Sequence, residues 1–360
     1  MSACMNLTEI LIPDSVTSIG EGAFYNTGVD DSEIAYKRGK CGDNLTWALL
    51  GGNRIVVYGT GAMTDYTSGS APWYSYNKKI TDVVISNGVT HIGDCAFKGC
   101  SVLGSISFAD SVQSIGKNAF SGCSYLSEIN IPEGITDISD YAFYQSGLTS
   151  IVYTSQDTVS IGDYAFAGCT KLEKIALSAS FESIGSHMFA NCTALSLVTL
   201  PDNCPALGEY MFFGCTALND IVIPQTVTEI GSYAFGNCTG FSQIVIPDSV
   251  TAIRAGAFSG CSGLKEIPLS AHIQTIGDYA FRDCVGFASV IVPDHVTEIG
   301  NGAFSGCSNI ENITLPFVGG GKAETASAQT LFGYIFGSEE FDGATAAKQY
   351  YSDSKYADYY

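Results

Sequence analysis

Residues 227–249 read VTEIGSYAFGNCTGFSQIVIPDS, and the stretch that follows, 250–272, reads VTAIRAGAFSGCSGLKEIPLSAH. The two stretches align without a gap: Val227 over Val250, Ile230 over Ile253, Phe235 over Phe258 and Cys238 over Cys261. The register holds outward in both directions. Phenylalanine recurs at Phe97, Phe120, Phe143, Phe166, Phe189, Phe212, Phe235, Phe258, Phe281 and Phe304. Cysteine follows three places later in every copy but one, where Ser146 stands. Self-similarity at a fixed period of this length marks a repeat architecture.

Each unit carries its own local signals. Apolar alternation, as at Ile221 and Ile223 or Ile244 and Ile246, predicts a strand with one buried face. Pro132, Pro201, Pro224, Pro247, Pro293 and Pro316 end that strand, because proline donates nothing to a ladder. The V-T-x-I-G portion predicts a second short extended piece closed at glycine. The A-F-x-x-C portion is too short for a full helix and suits one tight helical turn. A single coil cannot bury its apolar face, so coils must stack, each strand pairing in parallel with its counterpart in the next. Phe, Ile and Cys then form internal columns with neighbours about 4.8 Å apart. Leu148 and Ile151 lie one place early, and Thr154 to Asp157 restore the phase in a loop, where insertions are tolerated.

Composition narrows the function. The 360 residues hold 16 basic and 36 acidic side chains, a net charge of -20, which leaves no electrostatic footprint for a nucleic-acid backbone. No run of about 18 apolar residues exists, so no membrane insertion is expected in this segment. With 46% hydrophobic residues the chain supports a large core, which argues against disorder.

Four regions follow. Residues 1–29, with Cys4, Leu7, Ile10 and Phe24, are a partial repeat. Cys4 falls mid-unit, so the chain is expected to begin part-way through a repeat, as a fragment. The separation of Phe24 from Phe97 is not a whole number of repeats, so residues 30–79 interrupt the array. There, Leu45–Leu50 and Arg54–Tyr58 flank Gly51-Gly52-Asn53 and predict a hairpin module that caps the open edge of the first coil. Trp47 and Trp73 fall in this module and are read as core anchors rather than ligand groups. Residues 80–316 are the ten-repeat array, and 317–360 a C-terminal cap or the start of another module.

The A-F-x-x-C-x-x-L-x-x-I-x-I-P pattern over residues 80–316 and 1–28 resembles the BspA-like leucine-rich repeats, a family of surface and secreted proteins of host-associated bacteria and some parasitic protists. Cys41 to Trp47, Gly59 to Met63 and Ala71 to Tyr74 look like the module that leads into such arrays in gut Firmicutes surface proteins. Leu331 to Gly337 is similar to an insert between arrays in the same proteins. The resemblance implies a leucine-rich-repeat-like solenoid, a right-handed α/β coil stack, mostly β, with a parallel sheet. It also implies surface display, binding or adhesion, and no catalytic motif. No export signal or anchor is visible in the sequence.

Several candidate chemistries have plainer readings. The cysteine column presents its thiols side by side rather than converging as zinc requires, and parallel Cβ vectors discourage disulfides. Reduced packing thiols are expected; Cys4, Cys41, Cys95 and Cys204 stand outside that argument. His272 and His295 lie one repeat apart without a third ligand, and His91 and His187 show no partner in the sequence. Asp14, Glu133, Asp202, Asp248 and Asp294 read as a solvated ridge, not a calcium loop. Asn191 and Asn237 sit in nominal glycosylation sequons whose Cys is a core position. No nucleophile–base motif, metal site or cofactor site is predicted.

The better candidate is the outward face of the sheet. The residue between the two buried strand positions points away from the core, and Val152, Thr199, Val222, Val245, Ile291 and Thr314 occupy it, flanked by Gln243 and Glu266. Val222, Val245 and Ile291 form an exposed apolar run that solubility alone does not favour. The expectation is a non-enzymatic, surface-displayed protein that binds a host or bacterial surface protein, or a glycan, through this face. The alternative is a structural spacer that holds another domain away from the cell surface.

Overall fold

A computed structural model of the chain describes residues 35–153, 157–177, 180–204, 206–321, 332–337, 347–352 and 355–359. The partial repeat at 1–29 and the phase-restoring residues 154–156 lie outside the described residues. The chain divides into two compact units, Met1–Phe166 and Ala167–Tyr360. Each is a mostly β, parallel-sheet solenoid in which one repeat makes one turn.

In the first unit, strands β1 (Ala35–Lys40), β2 (Leu45–Leu50) and β3 (Arg54–Gly59) form an antiparallel ribbon. Gly51–Asn53 make a 3-10 turn between β2 and β3, with Asn53 left-handed at φ 63°. β3 then pairs in parallel with Asp82–Ile85, which pairs with Ser105–Ser107. Hence β3 occupies the edge of the first full coil, the exposed ladder that sheet proteins must cover. A second ladder joins Val89–Ile92, Ser114–Ile115, Asp137–Ile138 and Thr158–Ile161, with partners one repeat apart.

The second unit repeats the pattern. Glu229, Ala252, Thr275 and Glu298 pair in series, each again one repeat beyond the last. On the other side of the coil Lys174–Leu177 pairs with Leu197–Thr199, and Ser289–Ile291 with Asn312–Thr314. Between those pairs the only ladder contact among the described residues is the bridge Gln243↔Glu266. After the last coil, the 3-10 turn Phe332–Phe336 supplies carbonyls that stand in for a further repeat. Gly302 donates its N–H to Tyr334 and Phe304 to Ile335, at 2.9 and 2.8 Å.

The core is columnar. In the first unit, Phe97, Phe120, Phe143 and Phe166 are buried and stack at 5.3–5.4 Å with 1–10° between planes. In the second, Phe189 through Phe304 do the same at 5.4–5.7 Å. Offset aromatic stacking at such distances adds to the burial gain. The main chain keeps the rings aligned: Phe235 donates its N–H to the Ala257 carbonyl one turn on, at 2.8 Å.

The A-F-x-x-C corner is not a helical turn. Two left-handed residues bracket it, two places before and two after the phenylalanine, as with Tyr233 (φ 53°) and Asn237 (φ 58°) around Phe235. Successive turns close i→i+3 hydrogen bonds through it, Gly236 N–H to the Tyr233 carbonyl at 2.9 Å and Cys238 N–H to the Phe235 carbonyl at 3.1 Å. A corner must reverse direction within a few residues, and a continuing helix cannot do that. Helix among the described residues is confined to short 3-10 turns.

Candidate functional site

The sheet face is built by alternation. Ile221, Ile223, Ile244 and Ile246 are buried, which forces the residue between each pair outward. Val222, Val245 and Ile291 are 78%, 71% and 69% exposed, large values for aliphatic side chains on one continuous face of the second unit. Thr199 and Thr314 are exposed on the same column, and Gln243 and Glu266 are exposed beside it. Val152 belongs to the first unit, in Ser150–Tyr153, at 49% exposure.

Pro268 fills the outward slot between Val245 and Ile291. No backbone hydrogen bond joins residues 265–269 to 288–292 among the described residues. An open depression of about 510 Å³ lies there, lined by Glu266, Ile267, Pro268, Leu269, Ile291 and Pro293 among others. Its floor is aliphatic, and Glu266 contributes the one charged group among those lining it.

The cysteines are packing groups. Cys123, Cys215, Cys238, Cys261, Cys284 and Cys307 each point the thiol at the carbonyl of the phenylalanine 26 residues earlier, at 3.0–3.3 Å. Twelve cysteines are free thiols, Cys41, Cys95 and Cys204 among them; Cys4 lies outside the described residues. Burial pushes the Cys261 and Cys215 thiols up to about 12, and Cys238 and Cys284 well above the ordinary value. Such thiols stay protonated at neutral pH and do not act as nucleophiles.

Two histidines that look solitary in the sequence do have partners. His91 bridges Ser114 and Asp65, with Nδ1 2.7 Å from Ser114 Oγ and Nε2 3.0 Å from Asp65 Oδ1. The contact escaped the sequence because Asp65 lies in the non-periodic module. A serine, an imidazole and a carboxylate thus stand in line, but the surrounding amides are already engaged. Asp94 N–H is donated to Asp65, Lys117 N–H to Asp94 and Gly116 N–H to the Ile92 carbonyl, so these three amides are not free to hold an oxyanion. The Asp94 amide first, and His91 second, hold the Asp65 carboxyl below its usual range. The group works as a clasp that ties the 63–66 segment to the coil.

His187 is the second case. Its ring stacks on Tyr210 at 4.4 Å, and Tyr210 stacks on Tyr233 at 4.9 Å, all three left-handed with φ of 52–58°. Tyr141 and Tyr164 form the same pair in the first unit, 4.8 Å apart. At Gly256 this ladder stops: a Cβ there would collide with the Tyr233 ring. Of the other histidines, His272 lies 3.8 Å from Asp248, and both it and His295 are exposed. No group of three or more metal-ligating side chains occurs among the described residues.

Comparison with known proteins agrees with the repeat. A profile of the BspA type leucine rich repeat region matches residues 1–44, 73–159, 136–264 and 228–319, most of the chain. A leucine-rich repeat protein from Bacteroides ovatus is 26% identical, over 76% of this chain and 88% of that one, with a TM-score of 0.48. One from Eubacterium ventriosum is 22% identical, over 82% and 99%, with a TM-score of 0.43. A leucine rich cell surface protein from Faecalibacterium prausnitzii is 23% identical, over 79% and 89%, at 0.37. Among curated protein sequences none matches this chain.

Proposed function

Because the chain belongs to the BspA-type leucine-rich repeat family, we propose that it is a surface-displayed binding protein whose ligand face is the outward side of the sheet in the second unit. One observation carries this reading: Val222, Val245 and Ile291 are each more than two thirds exposed, on adjacent or near-adjacent turns. Aliphatic groups gathered in this way on a solvated face mark interaction sites. Solenoids supply such faces because each turn adds one rung to a continuous surface. The role is binding, not chemistry. No helix among the described residues is long and apolar enough to cross a membrane, and the fold offers the ligand a preformed surface.

The test uses the full chain against arrays of host and bacterial surface proteins and of glycans. Val222→Lys, Val245→Lys and Ile291→Lys together should leave the fold intact, since all three side chains are exposed, and abolish the bound signals. Unchanged binding by the triple variant would rule this face out.

A further inference from the structure

The borders of the apolar stripe are mainly acidic. Asp220 and Glu266 flank it on the side where each strand begins, and Asp202, Asp248 and Asp294 follow the prolines on the other; all five are exposed. Lys174, Lys265 and His272, the last 3.8 Å from Asp248, are the nearby basic residues, and the chain as a whole carries a net charge of -20. A second copy of this chain would therefore bring carboxylates against carboxylates, and an acidic partner would be repelled in the same way.

Spacing selects the shape of the occupant. Neighbouring turns repeat at about 4.8 Å, so Val222, Val245, Pro268 and Ile291 form a row roughly 14 Å long. Side chains on one face of an extended strand recur every 6.6–6.8 Å or so and would drift out of step with that row. On a helix, residues three or four apart advance about 4.5–6 Å along the axis, close to the spacing of the turns. The depression of about 510 Å³ beside Pro268 and Ile291 accepts one larger aliphatic side chain, with Glu266 at its rim for a neighbouring cation.

Taking the ligand face above as given, we propose that its partner is a cationic amphipathic helix, laid along the stack with aliphatic residues on the stripe and Lys or Arg over the two acidic borders. The helix-patterned peptide LKKLLKLLKKLLKL is the probe. Its controls are seven Leu-Lys pairs in strict alternation, a version of the probe with Glu for Lys, and a version with Ser for Leu. Binding to the full chain is read by fluorescence anisotropy at about 50 and about 500 mM salt.

The helix-patterned peptide should bind at least about tenfold tighter than every control, and more weakly at high salt. Asp220→Asn with Glu266→Gln should weaken it, and Val222→Ser with Val245→Ser and Ile291→Ser should remove it. Equal binding of the alternating peptide overturns the helix. Equal binding of the Ser version reduces the effect to charge alone, and equal binding of the Glu version removes the cationic requirement. If the serine triple variant loses array binding while the helical peptide never binds, the face stands and the cationic helix falls. If neither variant changes anything, both fall.

Discussion

Trp73 extends the phenylalanine column of the first unit: its indole stacks on Phe97 at 5.3 Å and 19°, and its Nε1 donates to the Ala96 carbonyl at 2.7 Å. The ring is fully buried, and Trp47 and Tyr66 meet it edge-on at 5.6 and 5.8 Å. The module before the array is therefore joined to it through a single aromatic core. Trp73→Ala should cost about 3–5 kcal/mol as a large-to-small core change. Trp73→Phe should cost less, about 1–3 kcal/mol, because it keeps a stacked ring but leaves the buried Ala96 carbonyl without its indole donor. Urea unfolding of the two variants gives the order, and a Phe variant as damaged as the Ala variant would contradict the stacking account.

Phe235 tests the column where it is regular. It lies between Phe212 at 5.7 Å and Phe258 at 5.4 Å, with Phe241 edge-on at 5.5 Å. Phe235→Ala should cost about 3–5 kcal/mol, and hydrogen exchange should rise in the flanking turns as well as in its own. Each turn contacts only its neighbours, so a void in one loosens the interface of the next. A loss below about 1 kcal/mol, the range of surface positions, would be incompatible with this burial.

What could be read from the sequence follows from periodicity. Stacked turns demand the same residue at the same place, so Phe, Cys and Ile columns, the parallel register and the exposure of Val222, Val245 and Ile291 are visible as spacings. Whatever breaks the period is not. Trp73 stands one place too early for the period that Phe97 begins, so its position at the head of the column is invisible until the module folds. The His91–Asp65 clasp joins periodic to non-periodic chain. The helical reading of the corner fails because the residue types there, Tyr above all, do not advertise a left-handed backbone.

Tyr210 isolates that left-handed corner. Its φ of 52° costs a side-chain-bearing residue about 1–2 kcal/mol, while stacking on His187 and Tyr233 returns a comparable amount. Tyr210→Ala keeps the strain and loses both stacks. Tyr210→Gly loses the stacks but removes the strain, so the Gly variant should be the more stable of the two by about 1 kcal/mol. In a helix or strand interior the order is the reverse. Chemical denaturation of the pair decides the matter, and an Ala variant more stable than the Gly variant would mean that the corner relaxes on substitution.

The cysteine column makes the fold sensitive to base. An exposed thiol in the unfolded chain ionises at about pH 8.5, whereas burial holds Cys215 and Cys261 up to about 12 and raises Cys238 well above its ordinary value. Above the ordinary thiol value the unfolded chain has released protons that the folded chain retains. Stability is therefore fully present below about pH 8 and falls as pH rises toward 12. Serine is tolerated in this slot, since Ser146 occupies it buried. Cys215→Ser, Cys238→Ser and Cys261→Ser together should lower stability at neutral pH yet flatten its decline between about pH 8 and 10.5, because three of the titrating groups are gone. Urea midpoints measured across that range for both proteins give the comparison. Parallel declines would show that lysine and tyrosine titration, not the thiols, sets the alkaline limit, and native-state labelling of the array cysteines at pH 8 would show that they are not buried as described.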